Sequence, residues 1–248
     1  MRACTDGSEL LASHENCGRV QDEYSLRCIP QVLGATAEAL AYVESALAPE
    51  LDAVTDNPLV FPDDGEVVSG GNFHGQPLGL PLDALAIAVA EIAGFSERRS
   101  YRLLTARQDA WSLPPFLTRD PGTRSGLMIL QYTAAALCAE NAVLAHPAGV
   151  SSLPTSAGQE DWNSMGATSA QKARQAIGNA LRVVAIELIC AGQGIDLRRP
   201  LRTGAPLEEL HARLRAITPV VEDDRSLSAD IEAVAEAIRS GAFAGIAQ

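Results

Sequence analysis

Three polar segments interrupt an otherwise apolar, alanine-rich chain, and each carries residues that a protein core does not need. The first is Gln21-Asp22-Glu23-Tyr24-Ser25-Leu26-Arg27. On a helical turn Tyr24 and Arg27, three apart, share a face. A guanidinium grips a carboxylate through two parallel N–H donors, and a phenol beside it can donate or relay a proton. The same segment also suits a solvated turn in which Arg27 pairs with a nearby acid. The second segment is Gly70-Gly71-Asn72-Phe73-His74-Gly75. Glycines let the backbone approach a ligand, and Phe73 can stack on a planar ring. The alternative is a plain turn with Phe73 buried and His74 at the surface. The third runs from Ser151 to Asp161 and ends in Gln159-Glu160-Asp161. If buried, Glu160 would hold a raised pKa suited to a base or a cation-binding group. Acids and hydroxyls there would equally cap the helix that follows. Glu160 is the expected ligand group and Asp161 the structural acid.

Other chemistries find little support. His14, His74, His146 and His211 are scattered without metal-ligand spacing, so no metal site is expected. There is no phosphate-binding glycine loop, and spacing alone does not argue for a Ser-His-Asp triad. Five cysteines, with no C-x-x-C pair, argue against a disulfide framework or structural zinc and for a reducing cytoplasm.

The elements that must position these segments are helices. Apolar residues at Leu33, Leu40, Val43 and Leu47 form a helical stripe over Gln31–Ala48, stopped by Pro49 and Thr55-Asp56-Asn57-Pro58. A short hairpin or irregular stretch is expected over Leu59–Val68, around Pro62-Asp63-Asp64-Gly65. Long apolar helices are predicted over Leu80–Gln108, Leu127–Leu144 and Met165–Ala191, with loops over Trp111–Gly122 and His146–Asp161. After a linker at Pro200–Pro206, two shorter helices are predicted over Leu207–Ile217 and Ala229–Arg239. The segment Leu127–Leu144 is apolar on every side, which predicts burial inside a bundle. The expectation is an all-α fold, a bundle of long, largely apolar helices with Gly/Pro-rich connections. It would form a single domain over 1–248, comprising an entry segment (1–30), central long helices (31–195) and shorter C-terminal helices (196–248).

Bulk properties agree. The 248 residues are 47% hydrophobic but only 4% aromatic, so the core must be aliphatic. A net charge of -12 is wrong for a nucleic-acid surface. The N-terminus has no apolar signal core. The strongest apolar run, Gly126–Ala139, is 14 residues long, short of the roughly 20 needed to cross a bilayer. No membrane span is expected. Faces as apolar as Leu80–Ala93 and Leu127–Leu144 predict a homo-oligomer, because exposing them costs several kcal/mol at about 25 cal/mol per Å2.

The motifs in their order resemble the histidine and aromatic amino-acid ammonia-lyases. They are Gln21-Asp22-x-Tyr24-Ser25-Leu26-Arg27-Cys28-x-Pro30-Gln31, Asp56-Asn57-Pro58, Ser69-Gly70-Gly71-Asn72-Phe73-His74 and Leu144-Ala145-His146-Pro147. Ser152-Leu153-Pro154-Thr155-Ser156, Gln159-Glu160-Asp161, Ser164-Met165-Gly166 and Ala185-Ile186-Glu187-Leu188 follow. The resemblance implies an all-helical, tetrameric fold whose active sites draw on three subunits. It implies elimination of ammonia from an L-α-amino acid to an α,β-unsaturated acid. By similarity Arg27 binds the substrate carboxylate, Tyr24 assists proton transfer, Gln21 and Phe73 line the pocket, and Glu160 meets an imidazole. Glu160 and the Asn-Phe-His run point to histidine as substrate, while Trp162-Asn163 departs from the His-Val usual in histidine ammonia-lyases. A tyrosine or phenylalanine lyase, a 2,3-aminomutase component or a non-catalytic scaffold are the alternatives. The family electrophile, a methylidene-imidazolone made from an internal Ala-Ser-Gly, has no source here, because that tripeptide is absent. The resemblance covers the later half of a typical member. A separately encoded N-terminal half bearing the electrophile is the expected partner of a natural split subunit, a cloned fragment or a decayed gene being the alternatives.

Overall fold

A computed structural model describes residues 2–15, 17–18, 20–105 and 113–246. Within these the chain is helical apart from one hairpin. The helices are α1 (Arg2–Thr5), α2 (Glu9–Ala12), α3 (Tyr24–Arg27), α4 (Ile29–Leu51), α5 (Gln76–Leu104), α6 (Met128–Leu144), α7 (Gly166–Leu197), α8 (Ala205–Ile217) and α9 (Ser228–Arg239). The residues pack as two compact units. Unit 1 comprises Met1–Pro30, Ala93–Ala139 and Gly178–Gln248, and unit 2 comprises Gln31–Ile92 and Glu140–Ile177. Helices α5, α6 and α7 each contribute one stretch to each unit.

Local sequence explains most element ends. Pro30 sits in the first turn of α4, where its missing N–H costs nothing. Pro49 falls in the last turn, so the helix runs two residues past it to Leu51 rather than stopping at Ala48. The hairpin forms where Pro62-Asp63-Asp64-Gly65 turns the chain. Strands β1 (Leu59–Phe61) and β2 (Glu66–Val68) pair antiparallel, Val60 opposite Val67, and Gly65 adopts φ +68°. Helix α5 starts at Gln76 rather than Leu80, accommodating Pro81 in its second turn. The expected end of this helix, at Gln108, lies outside the described residues, as does the start of the loop at Trp111.

Unit 1 has an aliphatic core in which Leu117, Leu127, Val183, Ile186, Ile189 and Val234 are buried. Helices α7 and α8 approach at Gly192, where a Cβ would lie 2.6 Å from a Leu214 methyl. The Gln193 amide reaches across to the backbone of Val221, donating to its carbonyl (2.8 Å) and accepting from its N–H (3.1 Å). Asp196 accepts from His211 Nε2 (2.8 Å) and Arg215 Nε (2.8 Å). Arg199 grips Glu208 with two bonds of 2.9 Å. That grip, aided by the Thr203 N–H and despite partial burial, holds the Glu208 carboxyl down to about 2.

Unit 2 is built from smaller residues, with Val43, Ala86, Val89, Ala173 and Ala176 buried. Buried Asp83 of α5 accepts from the N–H groups of Ala148 (3.0 Å) and Gly149 (2.7 Å), which anchors the loop after α6. Asn141 donates to the Ala176 carbonyl at 3.2 Å.

Two expectations are corrected. Helix α6 is not buried all round: Ile129, Tyr132 and Val143 stand 58, 63 and 73% exposed. The described residues cover the side that carries Leu130, Ala134 and Asn141 and leave the opposite side bare. The longest apolar stretch is also not Gly126–Ala139. Helix α5 is the one described helix long and apolar enough, by length and composition, to cross a membrane. Its polar residues Asp83, Ser96 and Glu97 are buried, and Asp83 and Ser96 spend their bonds on neighbouring segments, the pattern of a protein-packed helix.

Candidate functional site

In unit 1 the Gln-Asp-x-Tyr-Ser-Leu-Arg motif forms the single turn α3, which sorts its residues onto two sides. Tyr24 (69% exposed) and Arg27 face outward together, with the guanidinium carbon 4.5 Å from the ring centroid. Such stacking on the electron-rich ring face holds the fork in place without using its N–H donors. Arg27 forms no ion pair with an acid among the described residues. Gln21 is exposed beside the turn. Ser25 is buried on the opposite side of the turn, and with Leu26 it lines a cavity of about 440 Å3.

Deep in the same unit, α5 and α7 exchange a bidentate ion pair. Arg99 donates to Glu187 through Nε and through Nη2 (2.7 Å), and Ser96 Oγ donates to the same carboxylate at 2.6 Å. Arg99 also stacks over Phe95 at 5.0 Å. Gln131 donates to Glu97 at 3.0 Å. Burial, with Glu97 adding to it, pushes the Cys138 thiol up to about 11, and burial pushes Cys190 up as well. Neither is a nucleophile at neutral pH.

In unit 2 three motifs converge on one another. Asn57 Oδ1 accepts from Ser69 Oγ and from the Gly70 N–H, both at 3.0 Å, and Asn72 donates to the Val54 carbonyl at 2.9 Å. The glycine loop is thereby tied to the Asp-Asn-Pro motif. His74 is a structural residue. Its Nδ1 accepts from the Gln76 N–H (3.3 Å) and its Nε2 lies 2.9 Å from the Trp162 carbonyl, which assigns the neutral Nε2–H tautomer. Gly75 and Gly166 are needed for close approach: a Cβ on Gly75 would lie 2.8 Å from Ser164 Oγ, and one on Gly166 3.0 Å from the Gly75 carbonyl. Phe73 is left 58% exposed rather than buried.

The loop bearing Glu160 is closed by its own bonds. Thr155 and Glu160 exchange backbone hydrogen bonds (2.9 and 3.3 Å), and Thr155 Oγ1 donates to the Glu160 carboxylate at 2.5 Å. Asn163 donates to the Leu153 carbonyl (2.7 Å), Thr155 Oγ1 (3.0 Å) and the Glu160 carbonyl (3.2 Å). Ser156 and Ala157, neither a glycine, hold φ of +54°, a conformation such residues adopt at a cost. Glu160 is exposed among the described residues. Asp161 is exposed as well and makes no hydrogen bond or ion pair among the described residues, so it does not cap α7.

Of the expected site residues, Gln21, Tyr24 and Arg27 belong to unit 1, and Phe73 and Glu160 to unit 2. Sequence reasoning missed the Arg99–Glu187 pair, although Glu187 in an apolar Ala-Ile-Glu-Leu run was its visible signal. It also missed Asn163 as the clamp of the Glu160 loop. Among the described residues no group of three or more His, Cys, Asp and Glu could hold a metal ion.

Comparison with known proteins places this geometry. The family model described as aromatic amino acid lyase matches residues 1–216. The chain belongs to the aromatic amino acid lyase family. Among related lyases it is 53% identical over 243 residues to the histidine ammonia-lyase of Anaeromyxobacter sp. (strain K), covering 97% of this chain and 47% of that protein. The crystal structure of histidine ammonia-lyase from Trypanosoma cruzi superposes with a TM-score of 0.88 at 46% identity, covering 99% of this chain and 46% of that one. Tyrosine aminomutase from Streptomyces globisporus gives 0.85 at 34% identity, covering 99% and 50%. The chain spans about half the length of the curated lyases it matches.

Proposed function

We propose that this chain is a component of a histidine-type ammonia-lyase, converting an L-α-amino acid to ammonia and an α,β-unsaturated acid. The observation that carries the reading is the 53% identity to a histidine ammonia-lyase across 97% of the chain. It is joined to a free, stacked Arg27 guanidinium beside an exposed Tyr24. The similarity to an aminomutase is weaker, at 34%.

In this reading Arg27 takes the substrate carboxylate through its N–H fork, and its stacking on Tyr24 fixes the approach direction. By family resemblance Gln21 of unit 1 and Phe73 of unit 2 are each pocket-lining residues, Phe73 offering an uncovered ring to a flat substrate side chain. Glu160 accepts from the imidazole and selects histidine. Its loop holds the carboxylate ready because Asn163 and Thr155 fix the frame. Tyr24 handles the proton: removal of a β-hydrogen leaves an electron pair that forms the Cα–Cβ double bond as the C–N bond breaks.

The electrophile belongs to a methylidene-imidazolone, whose chemistry is to make the substrate amine a leaving group. The chain has no Ala-Ser-Gly to form it. The aromatic and cationic groups at 24, 27 and 73 are uncovered, which suits residues that face a group carried by another polypeptide. That polypeptide would be the complementary, N-terminal half of the family fold, and the working enzyme a homo-oligomer of such pairs.

The test is reconstitution. The chain is mixed with the electrophile-bearing part of the Anaeromyxobacter relative, and L-histidine, L-tyrosine and L-phenylalanine are supplied. Release of ammonia with the ultraviolet absorbance of a conjugated acid from histidine is the expected result. A β-amino acid product would transfer the chain to the aminomutases. No turnover by a complex that forms and carries the electrophile's absorbance would refute catalysis.

A further inference from the structure

The turn that carries Tyr24 and Arg27 has an inner side, and what lies behind it is incomplete. Ser25 and Leu26 line a cavity of about 440 Å3 within unit 1, walled also by the end of α5, the last turns of α7 and Leu10 of α2. Leu10, Leu26, Leu103, Leu113, Ala191 and Ile195 give it an aliphatic part, set among polar and charged residues. Its charged members are Arg99, Arg102 and Arg198 against Glu23 and Glu187, three positive and two negative, in a chain whose net charge is -12. Arg99 is matched by Glu187, and Arg102 lies 3.5 Å from Glu23. The guanidinium of Arg198 has no hydrogen-bond or ion-pair partner among the described residues.

Two donors on this wall are also unmatched. Ser25 Oγ, on a residue only 4% exposed, and Arg99 Nη1 have no partner among the described residues. Buried donors in folded proteins are almost always satisfied. A partly aliphatic cavity with unmade donors and, among the described residues, one surplus cation calls for an occupant that combines aliphatic side chains with a carboxylate.

We infer that this cavity seats a segment of the complementary half of the family fold, entering with aliphatic side chains and one carboxylate that pairs with Arg198 and draws on the donors of Ser25 and Arg99. The inference rests on the proposed function and adds where the second half docks. A chain segment fits better than a free metabolite because the related lyases have about as much chain again to pack. Docking here presses on the inner side of α3. The occupant would therefore fix the turn on which Tyr24 and Arg27 stand, tying assembly to the readiness of the carboxylate-binding arginine.

The experiment titrates the full chain, by calorimetry, with a separately purified polypeptide comprising the part of the Anaeromyxobacter histidine ammonia-lyase that lies outside the match. Leu103→Trp fills the cavity from its wall, and Arg198→Glu reverses its free charge without touching the core. Arg239→Glu, at the far end of α9, is the charge control. The expected result is at least tenfold weaker binding for both cavity variants and none for the control, with circular dichroism of the variants unchanged. Equal affinity for wild type and Arg198→Glu would overturn the docking site while leaving the proposed function intact. Absence of any association with wild type would overturn both.

Discussion

Replacing Glu187 by alanine should test the half-buried pair that joins α5 to α7. The substitution removes the only acid that Arg99 contacts among the described residues and strands the Ser96 hydroxyl. Breaking a buried ion pair by removing one partner costs about 3–5 kcal/mol. Here each side chain keeps 19% exposure, which lets water screen the orphaned guanidinium, so about 2–3 kcal/mol is expected. The hydroxyl left without its acceptor adds about 1 kcal/mol. At about 2–4 °C per kcal/mol for a chain of this size, a total of about 3–4 kcal/mol lowers the thermal midpoint by about 6–16 °C, followed by circular dichroism at neutral pH. The decisive measurement is the double variant. Arg99→Met with Glu187→Met replaces the pair by apolar chains of similar length and should recover most of the loss, because such replacements are often neutral. A midpoint shift below about 2 °C for Glu187→Ala, or a double variant as unstable as the sum of both singles, would refute the argument.

Three further outcomes follow from the geometry. In the reconstituted enzyme Arg27→Ala should lower kcat/KM by about 10- to 100-fold, the worth of a charged hydrogen-bonded contact, while the exposed position leaves the thermal midpoint of the chain within about 1 °C; an unchanged kcat/KM sinks the carboxylate assignment. Gly126→Ala should cost about 2–4 kcal/mol in denaturant unfolding, because φ is +55° and the new Cβ would lie 2.5 Å from the Phe116 carbonyl oxygen. Glu208 is held near 2 in the folded chain against an ordinary 4.5. Its contribution is therefore complete above about pH 4.5 and is lost as pH falls toward 2. Glu208→Gln should be less stable at neutral pH and show a flatter acid limb; an identical acid profile would contradict the assignment.

How much was readable in advance depended on sequence distance. Helical periods and proline or glycine punctuation act over a few residues, so α4, the hairpin, α8 and α9 were visible within about three positions, and so was the start of α7, which runs on past the expected Ala191 to Leu197. The Tyr24–Arg27 pairing was visible because both lie on one turn. The Arg99–Glu187 contact spans 88 residues, and no local pattern declares which acid an arginine in an apolar helix will meet. Asn163 looked like a departure from a motif, yet it clamps three acceptors in the loop before it. The exposure of α6 was also misjudged, because a sequence records that a surface wants covering but not what covers it.

The closed frame of the Glu160 loop has an evolutionary consequence. Its path is held by Asn163, by the Thr155–Glu160 backbone exchange and by the Ser152 hydroxyl at the Asn163 N–H (2.7 Å). The side chains of Ser156, Gln159 and Glu160 are exposed and, but for the Thr155 contact, carry none of that scaffolding. Shape and chemical identity are thus encoded by separate residues. Mutation can rewrite what the loop presents without first having to rebuild the loop, which lets one scaffold diversify through single substitutions.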